Sequence, residues 1–278
     1  MKHRYTFFAL VAAAAFSGPV AAQESQAESA ATDRTPPIAL APIALANAIA
    51  GEPAKRRPLA RLRSPLCLAV AAQDEAFART VAKRIIDNAK AAGVKTRRAG
   101  CKPNALVTFS DDAFNQISAY RAEGRKVFRR MSEREIDAAL AGRDPAYVFQ
   151  AVEATPRIME GDAPWLDSAQ NWTKERAYVR TPEDMLSTLV VIEAGAIDGL
   201  SPVQIADYAS LRLLAPTGEL AADDARAPDT ILSLFAAPDK APSEMTRADR
   251  AYLTSLYKLP RTAFAAEVLE EAEQVASR

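Results

Sequence analysis

The chain has 278 residues, 49% of them apolar and 25% charged, which is material for one large core or two small ones. Lys+Arg and Asp+Glu balance at 35 each, so no global field draws the chain onto nucleic acid or an anionic surface, and a nucleic-acid function is set aside. No stretch beyond the N-terminus is apolar enough for a transmembrane span, and neither a Gly-rich phosphate loop nor a dinucleotide fingerprint occurs.

The first 22 residues read as an export signal. Lys2, His3 and Arg4 make a positive start, and residues 6–16 (TFFALVAAAAF) form an apolar run too short to cross a bilayer comfortably. Gly18 and Pro19 break that run before the small residues 20–22. The expectation is a cleaved signal peptide and a periplasmic protein; a retained N-terminal anchor is the alternative. His3 is the one histidine, so the chain left after cleavage has none, which excludes His triads, His general bases and His-ligated metals.

Cys67 and Cys101 are the two cysteines. In an oxidising compartment they predict one structural disulfide, which in the chain-entropy account stabilises by about 3–4 kcal/mol for a loop of this length. A redox pair is the competing idea, but the spacing is far from Cys-x-x-Cys.

Residues 23–60 look like a flexible Ala/Pro-rich leader. Its apolar part, residues 36–53, is interrupted at Pro42, which would break or kink a helix there. Residues 55–63 (KRRPLARLR) carry five basic residues, read as a solvated patch on a tether, with a docking arm for a membrane or partner as the other possibility.

The folded domain is expected over residues 61–278. Residues 66–70 (LCLAV) predict a strand and 74–92 a helix with Phe77, Val81, Ile85 and Ala89 on one face, stopped at Gly93. Residues 94–99 suggest a charged edge strand and 105–109 (ALVTF) a buried strand, so that the helix crosses one face of a sheet. Residues 111–122 turn helical, and Ser132 with Glu135 opens a second short helix through a capping box. Arg125, Lys126, Arg129 and Arg130, with Arg97, Arg98 and Lys102, could form a positive surface for anions; with no aromatic interleaved, a solvated face is the preferred reading.

Residues 147–154 predict a strand. Trp165 and Trp172 lie in an irregular stretch that either lines a groove or pins a loop. Residues 177–180 are a weaker strand candidate, and 185–193 (MLSTLVVIE) a central one. A capped helix follows over residues 201–215, with Ser201 as N-cap, Pro202 at the first helical position and Gln204 completing a capping box. Thr246 with Asp249 caps a helix running to Lys258, and residues 262–277 make a last charged helix, expected to be peripheral. The fold class is α+β: a mixed sheet, a crossing helix, a central capped helix and C-terminal helices in one domain.

The order of a capped helix, an Ile-x-Ser-x turn and MTRADRAYLTSLY (residues 245–257) resembles the second half of a zincin peptidase domain of the matrixin kind. Asp249, Leu253, Leu256 and Tyr257 fall at that family's spacing. The upstream order of strand, long helix, edge strand, strand and central strand is similar, and the resemblance covers residues 66–258. It implies a zincin-like fold. Carried over residue by residue, the two helix histidines fall on Gln204 and Tyr208 and the glutamate on Ile205. The glycine and third ligand fall on Leu211 and Leu214, and the turn methionine on Leu232 or Leu234. These side chains supply no metal site, so the resemblance implies a pseudoenzyme: no catalytic residue, cofactor or metal. The phrase QIADYASLRLLA with the cysteine-bearing strand–helix–strand unit also resembles a family of exported alphaproteobacterial proteins, which implies a compartment and a fold and no activity.

Two functions compete. One is a non-catalytic domain that binds a protein, peptide or envelope component through a cleft beside Gln204, Asp207 and Tyr208. The other is a hydrolase of envelope glycans working with carboxylates alone, for which Glu193, Asp198 and Asp207 are the candidates. Asp198 also reads as a turn residue before Gly199, and Asp207 as a surface or hydrogen-bonded helix residue.

Overall fold

A computed structural model describes residues 42–141, 145–154, 181–221 and 223–278, all within the unit Ala39–Arg278. The export signal expected over residues 1–22, Trp165, Trp172 and the strand expected over 177–180 lie outside the described residues.

Five strands form one mixed sheet: β1 (Arg61–Leu62), β2 (Leu68–Ala71), β3 (Ala105–Ser110), β4 (Ala146–Ala154) and β5 (Glu183–Glu193). β5 is central. β3 runs parallel to it from Ala105↔Thr188 to Ser110↔Glu193, β1 meets its start in line with β3, and β4 lies antiparallel along the other flank. β2 pairs parallel with the outer side of β3. The long parallel connection from β2 to β3 is made by α2 (Glu75–Ala91), as a parallel pair requires. Asp74 caps α2 by accepting from the Ala76 and Phe77 amides, and Val81, Ile85 and Ala89 are fully buried.

Alternation along β5 divides two cores. Val190 and Ile192 face the larger one, with Val107 of β3, α2 and α5 (Pro202–Leu214). Leu189 and Val191 face the smaller one, with Phe149 of β4, Ile117 of α3 (Ala113–Ala122), Ile136 of α4 (Glu133–Leu140) and Phe128. A strand buried on both faces has to be apolar at consecutive positions, which is the pattern residues 185–193 show. The two cysteines are joined, Cα to Cα 6.1 Å, tying the approach to β2 to the loop before β3.

Three expectations are corrected. Residues 42–60 are not a flexible leader: α1 (Pro42–Ile49) packs on α6 (Arg247–Lys258) and α7 (Ala265–Ser277), and Ala46, Ile49, Ala50, Leu59 and Ala60 are buried. Pro42 does not break this helix because it sits at its first position, where no amide partner is needed. Within the basic stretch, Arg61 is buried and donates to the Leu259 and Pro260 carbonyls, and Arg57 pairs with Glu183 at 2.7 Å. The edge strand over 94–99 reduces to a single bridge, Leu66↔Thr96. The last helix is not peripheral: Ala265, Val268, Leu269 and Ala272 are buried against α6 and α1.

Candidate functional site

α5 begins as its sequence indicates. The Ser201 hydroxyl accepts from the Gln204 amide at 3.1 Å, and Gln204 Oε1 accepts from the Ser201 amide at 3.1 Å. Every residue from Ile205 to Leu214 is buried, the polar ones included. The helix is therefore a spine of the larger core, and its polar side chains are engaged inside the protein.

Asp207 is the hub. Its Oδ1 accepts from Arg84 Nε and Asn88 Nδ2, each at 2.7 Å, and its Oδ2 from Arg84 Nη2 at 2.8 Å and the Met245 amide at 2.7 Å. Burial alone would push this carboxyl up; the donors from Arg84, Met245 and Asn88 outweigh it and hold the group below the usual carboxylate value. The Arg84 guanidinium is raised in turn, chiefly by its hydrogen bonds to Asp207. Arg84 Nη2 also reaches Glu244 at 3.1 Å, and Arg250 donates both to Glu244 and to the Met245 carbonyl. One carboxylate thus clamps α2, α5 and the segment entering α6.

The other candidates are placed apart. Tyr208 is fully buried, edge-on to Phe235 with centroids 4.8 Å apart, and its hydroxyl accepts from Arg212 Nε at 3.1 Å. Gln204 spends its amide on the Pro242 carbonyl at 3.1 Å. Glu193 is exposed at the end of β5, where the Tyr147 hydroxyl donates to it at 3.3 Å; burial, then this carboxylate, push the Tyr147 phenol up. Asp198 is exposed in the turn before Gly199, whose φ of +79° suits a residue without a side chain. Glu193 and Asp198 are exposed, whereas Asp207 is buried and held by Arg84 of α2.

The positions matched to zinc ligands are packed apolar or hydrogen-bonded groups: Ile205, Tyr208, Leu211, Leu214, Leu232 and Leu234 are all buried. Among the described residues no three of His, Cys, Asp and Glu come together as a metal would need.

A second buried carboxylate went unrecognised beyond its capping role. Asp249 accepts from the Thr230 hydroxyl at 2.6 Å and from the Ile231 and Thr246 amides at 2.8 and 2.9 Å, and burial pushes its carboxyl up. It has no cation partner among the described residues, so it acts as a joint between the 230–234 turn and α6. A third, Asp184 on β5, is buried and paired with Arg63 and Arg261. Neither stood out in the sequence, since Asp249 lies between Arg247 and Arg250 and Asp184 follows Glu183; a buried acid nonetheless demands donors.

The basic clusters do converge. A cleft of about 520 Å³ opens beside Cys67 and is lined by Arg97, Lys102, Lys126, Arg129 and Arg130, with no acid among the described residues that line it. A neighbouring hollow of about 340 Å³ shares Lys102 and Lys126 and is floored by Leu106, Val127 and Leu189. Neither a family model, nor a curated protein, nor a solved structure matches this chain.

Proposed function

We propose that this chain is an exported, non-catalytic domain that uses a zincin-like scaffold to bind a protein, peptide or polymer of the cell envelope. One observation carries the reading: on α5, where a peptidase of that kind would hold zinc and its base, Gln204, Asp207 and Tyr208 are all committed to internal partners. The element order supports the scaffold in part: strand, long helix and strand come first, α3 and α4 intervene, and then an antiparallel flank strand, the central strand, a capped helix and a later second capped helix. Export fits the Cys67–Cys101 disulfide, and among the described residues no helix is long and apolar enough to cross a membrane. The glycan-hydrolase alternative is less favoured because Asp207, one of its three candidates, is held by Arg84.

Metal analysis of purified protein tests the reading. Less than a tenth of an equivalent of zinc is expected, unchanged by Gln204→Ala or Tyr208→Ala. Stoichiometric zinc lost in either variant, or turnover of a peptidoglycan panel lost in Glu193→Gln, would overturn it.

A further inference from the structure

The cationic cleft gathers unpaired charge in one concavity. Many exposed cations elsewhere sit beside acids, among them Arg79 with Glu75, Lys83 with Asp87, Arg121 with Glu133 and Lys258 with Glu271, while others, such as Lys55, Lys95 and Arg247, stand singly. In the cleft, Arg97, Lys102, Lys126 and Arg129 have no carboxylate partner among the described residues; Arg130 alone pairs, with Glu153 at 3.3 Å. Like charges gathered in a concavity repel one another, an arrangement that favours occupancy by an anion. In a chain of zero net charge this concentration has no compositional cause.

The frame holding those charges is fixed. Lys102 follows the disulfide-bonded Cys101, and the next turn is pinned by Asn104, whose Oδ1 accepts from the Cys67 amide at 2.7 Å and whose Nδ2 donates to the Pro65 carbonyl at 3.2 Å. Arg129 and Arg130 are carried by a single tight turn, residues 128–130, anchored by Phe128 packed edge-on to Phe149 at 5.0 Å. The Arg129 guanidinium lies against Gly124, where a methyl group would come within 3.3 Å of it. Thr188 lines the adjoining hollow, is 3% exposed, and its hydroxyl has no hydrogen-bond partner among the described residues, an arrangement that costs stability until something fills it.

We infer that this cleft is a binding site for a phosphate-bearing ligand whose charged groups meet Arg97, Lys102, Lys126 and Arg129 and whose less polar part enters the hollow over Leu106, Val127 and Leu189. Guanidinium forks bind phosphate oxygens in pairs, and ammonium groups complete the charge. Among the described residues no aromatic side chain lines either space, which gives no stacking platform for single-stranded nucleic acid there. A free phosphate ester and a lipid phosphate headgroup share this chemistry. The site uses none of the α5 residues, so it stands or falls independently of the function proposed above.

The test is titration calorimetry of the purified full chain with inorganic pyrophosphate at low salt, alongside sedimentation with phosphatidylglycerol and with phosphatidylcholine vesicles. Saturable one-site binding of pyrophosphate is expected, weakened at least tenfold by Lys102→Ala with Lys126→Ala and by Arg129→Ala, and unchanged by Lys83→Ala with Lys258→Ala. It should also weaken as salt is raised from 50 to 300 mM, since exposed charges are screened. Cleft-dependent sedimentation with phosphatidylglycerol alone identifies a lipid phosphate as the source, and its absence a soluble one. Circular dichroism confirms that the variants are folded. No saturable binding to either probe, or equal binding by the cleft and control variants, overturns the inference.

Discussion

The Asp207 clamp makes a prediction that separates a structural carboxylate from a catalytic one. In Asp207→Asn the shape is kept but one acceptor oxygen becomes an NH2 group. Each oxygen of Asp207 already accepts from two N–H groups, so either orientation of the amide sets a donor against two donors. Arg84 also loses its closer counter-charge and keeps only Glu244, at 3.1 Å. Leaving one member of a buried ion pair without its partner costs about 3–5 kcal/mol. The lower end applies here, because Arg84 retains Glu244 and its side chain is 32% exposed and can recruit water. Asp249→Asn is the contrast. An amide oxygen there can accept from the Ile231 and Thr246 amides, which both address Oδ2, while its NH2 donates to the Thr230 hydroxyl. No cation is stranded, and the cost should be about 1 kcal/mol or less, within the net worth of one hydrogen bond. Urea unfolding at pH 7 reads the difference directly, and a loss of about 3 kcal/mol corresponds to roughly 6–12 °C in melting temperature for a protein of this size. Equal costs for the two substitutions, or an Asp207→Asn protein within about 0.5 kcal/mol of the parent, an ordinary surface effect, would refute the clamp.

Three further outcomes follow from other contacts. Replacing both Cys67 and Cys101 by Ala should lower stability by about 3–4 kcal/mol through the freed loop, seen as the same midpoint shift that reductant produces in the parent and not in the variant. Gly218→Ala should destabilise by about 1–3 kcal/mol, the usual range for overpacking, because its Cβ would sit 2.6 Å from the Ala48 carbonyl oxygen; limited proteolysis should then cut near α1 first. The two buried carboxylates give opposite pH signs. Asp207, depressed in the fold, contributes stability that is complete above its unfolded value of 3.8 and lost as pH falls through the lower folded value; Asp249, raised, favours the fold below 3.8 and loses that contribution as pH rises through its folded value. Urea midpoints between pH 2.5 and 7 should therefore fall less steeply on acidification in Asp207→Asn and more steeply in Asp249→Asn than in the parent.

Local patterns were legible wherever a segment's own residues decide its structure. Val81, Ile85 and Ala89 mark the buried face of α2, and the capping boxes at Ser132, Ser201 and Thr246 all form. β5 is read from its apolar run because it is covered on both faces. α1 was not legible, because what stabilises it lies at the other end of the chain. Its apolar face has value only against α6 and α7, and its C-terminal end is held by the Gly218 amide donating to the Ile49 carbonyl at 2.9 Å. An Ala/Pro-rich segment gives no local sign of partners near the far end of the chain. The edge strand failed for the opposite reason: residues 94–99 have strand-like spacing, but only Thr96 makes a bridge, and the loop is otherwise positioned by the disulfide.

The site residues divide in the same way. Asp207 stood out as an acid in an apolar helix, yet its fate was set by Arg84 and Asn88, one turn apart on a helix more than a hundred residues earlier. The basic clusters were visible as residue types, while their meeting was not, since it takes a disulfide for Lys102 and a turn anchored by Phe128 for Arg129. α5 and the larger core occupy one face of the sheet; Leu106, Val127 and Leu189, which floor the hollow beside the cationic cleft, belong with the core on the other. The helix that most resembles an active-site element has its polar groups turned inward, and the unpaired charge is gathered across the sheet from it. That separation is what stability requires. A buried spine is strongest when every polar group it carries is satisfied, whereas a site that receives anions has to leave its cations unsatisfied, and the two demands are met on opposite faces of one sheet.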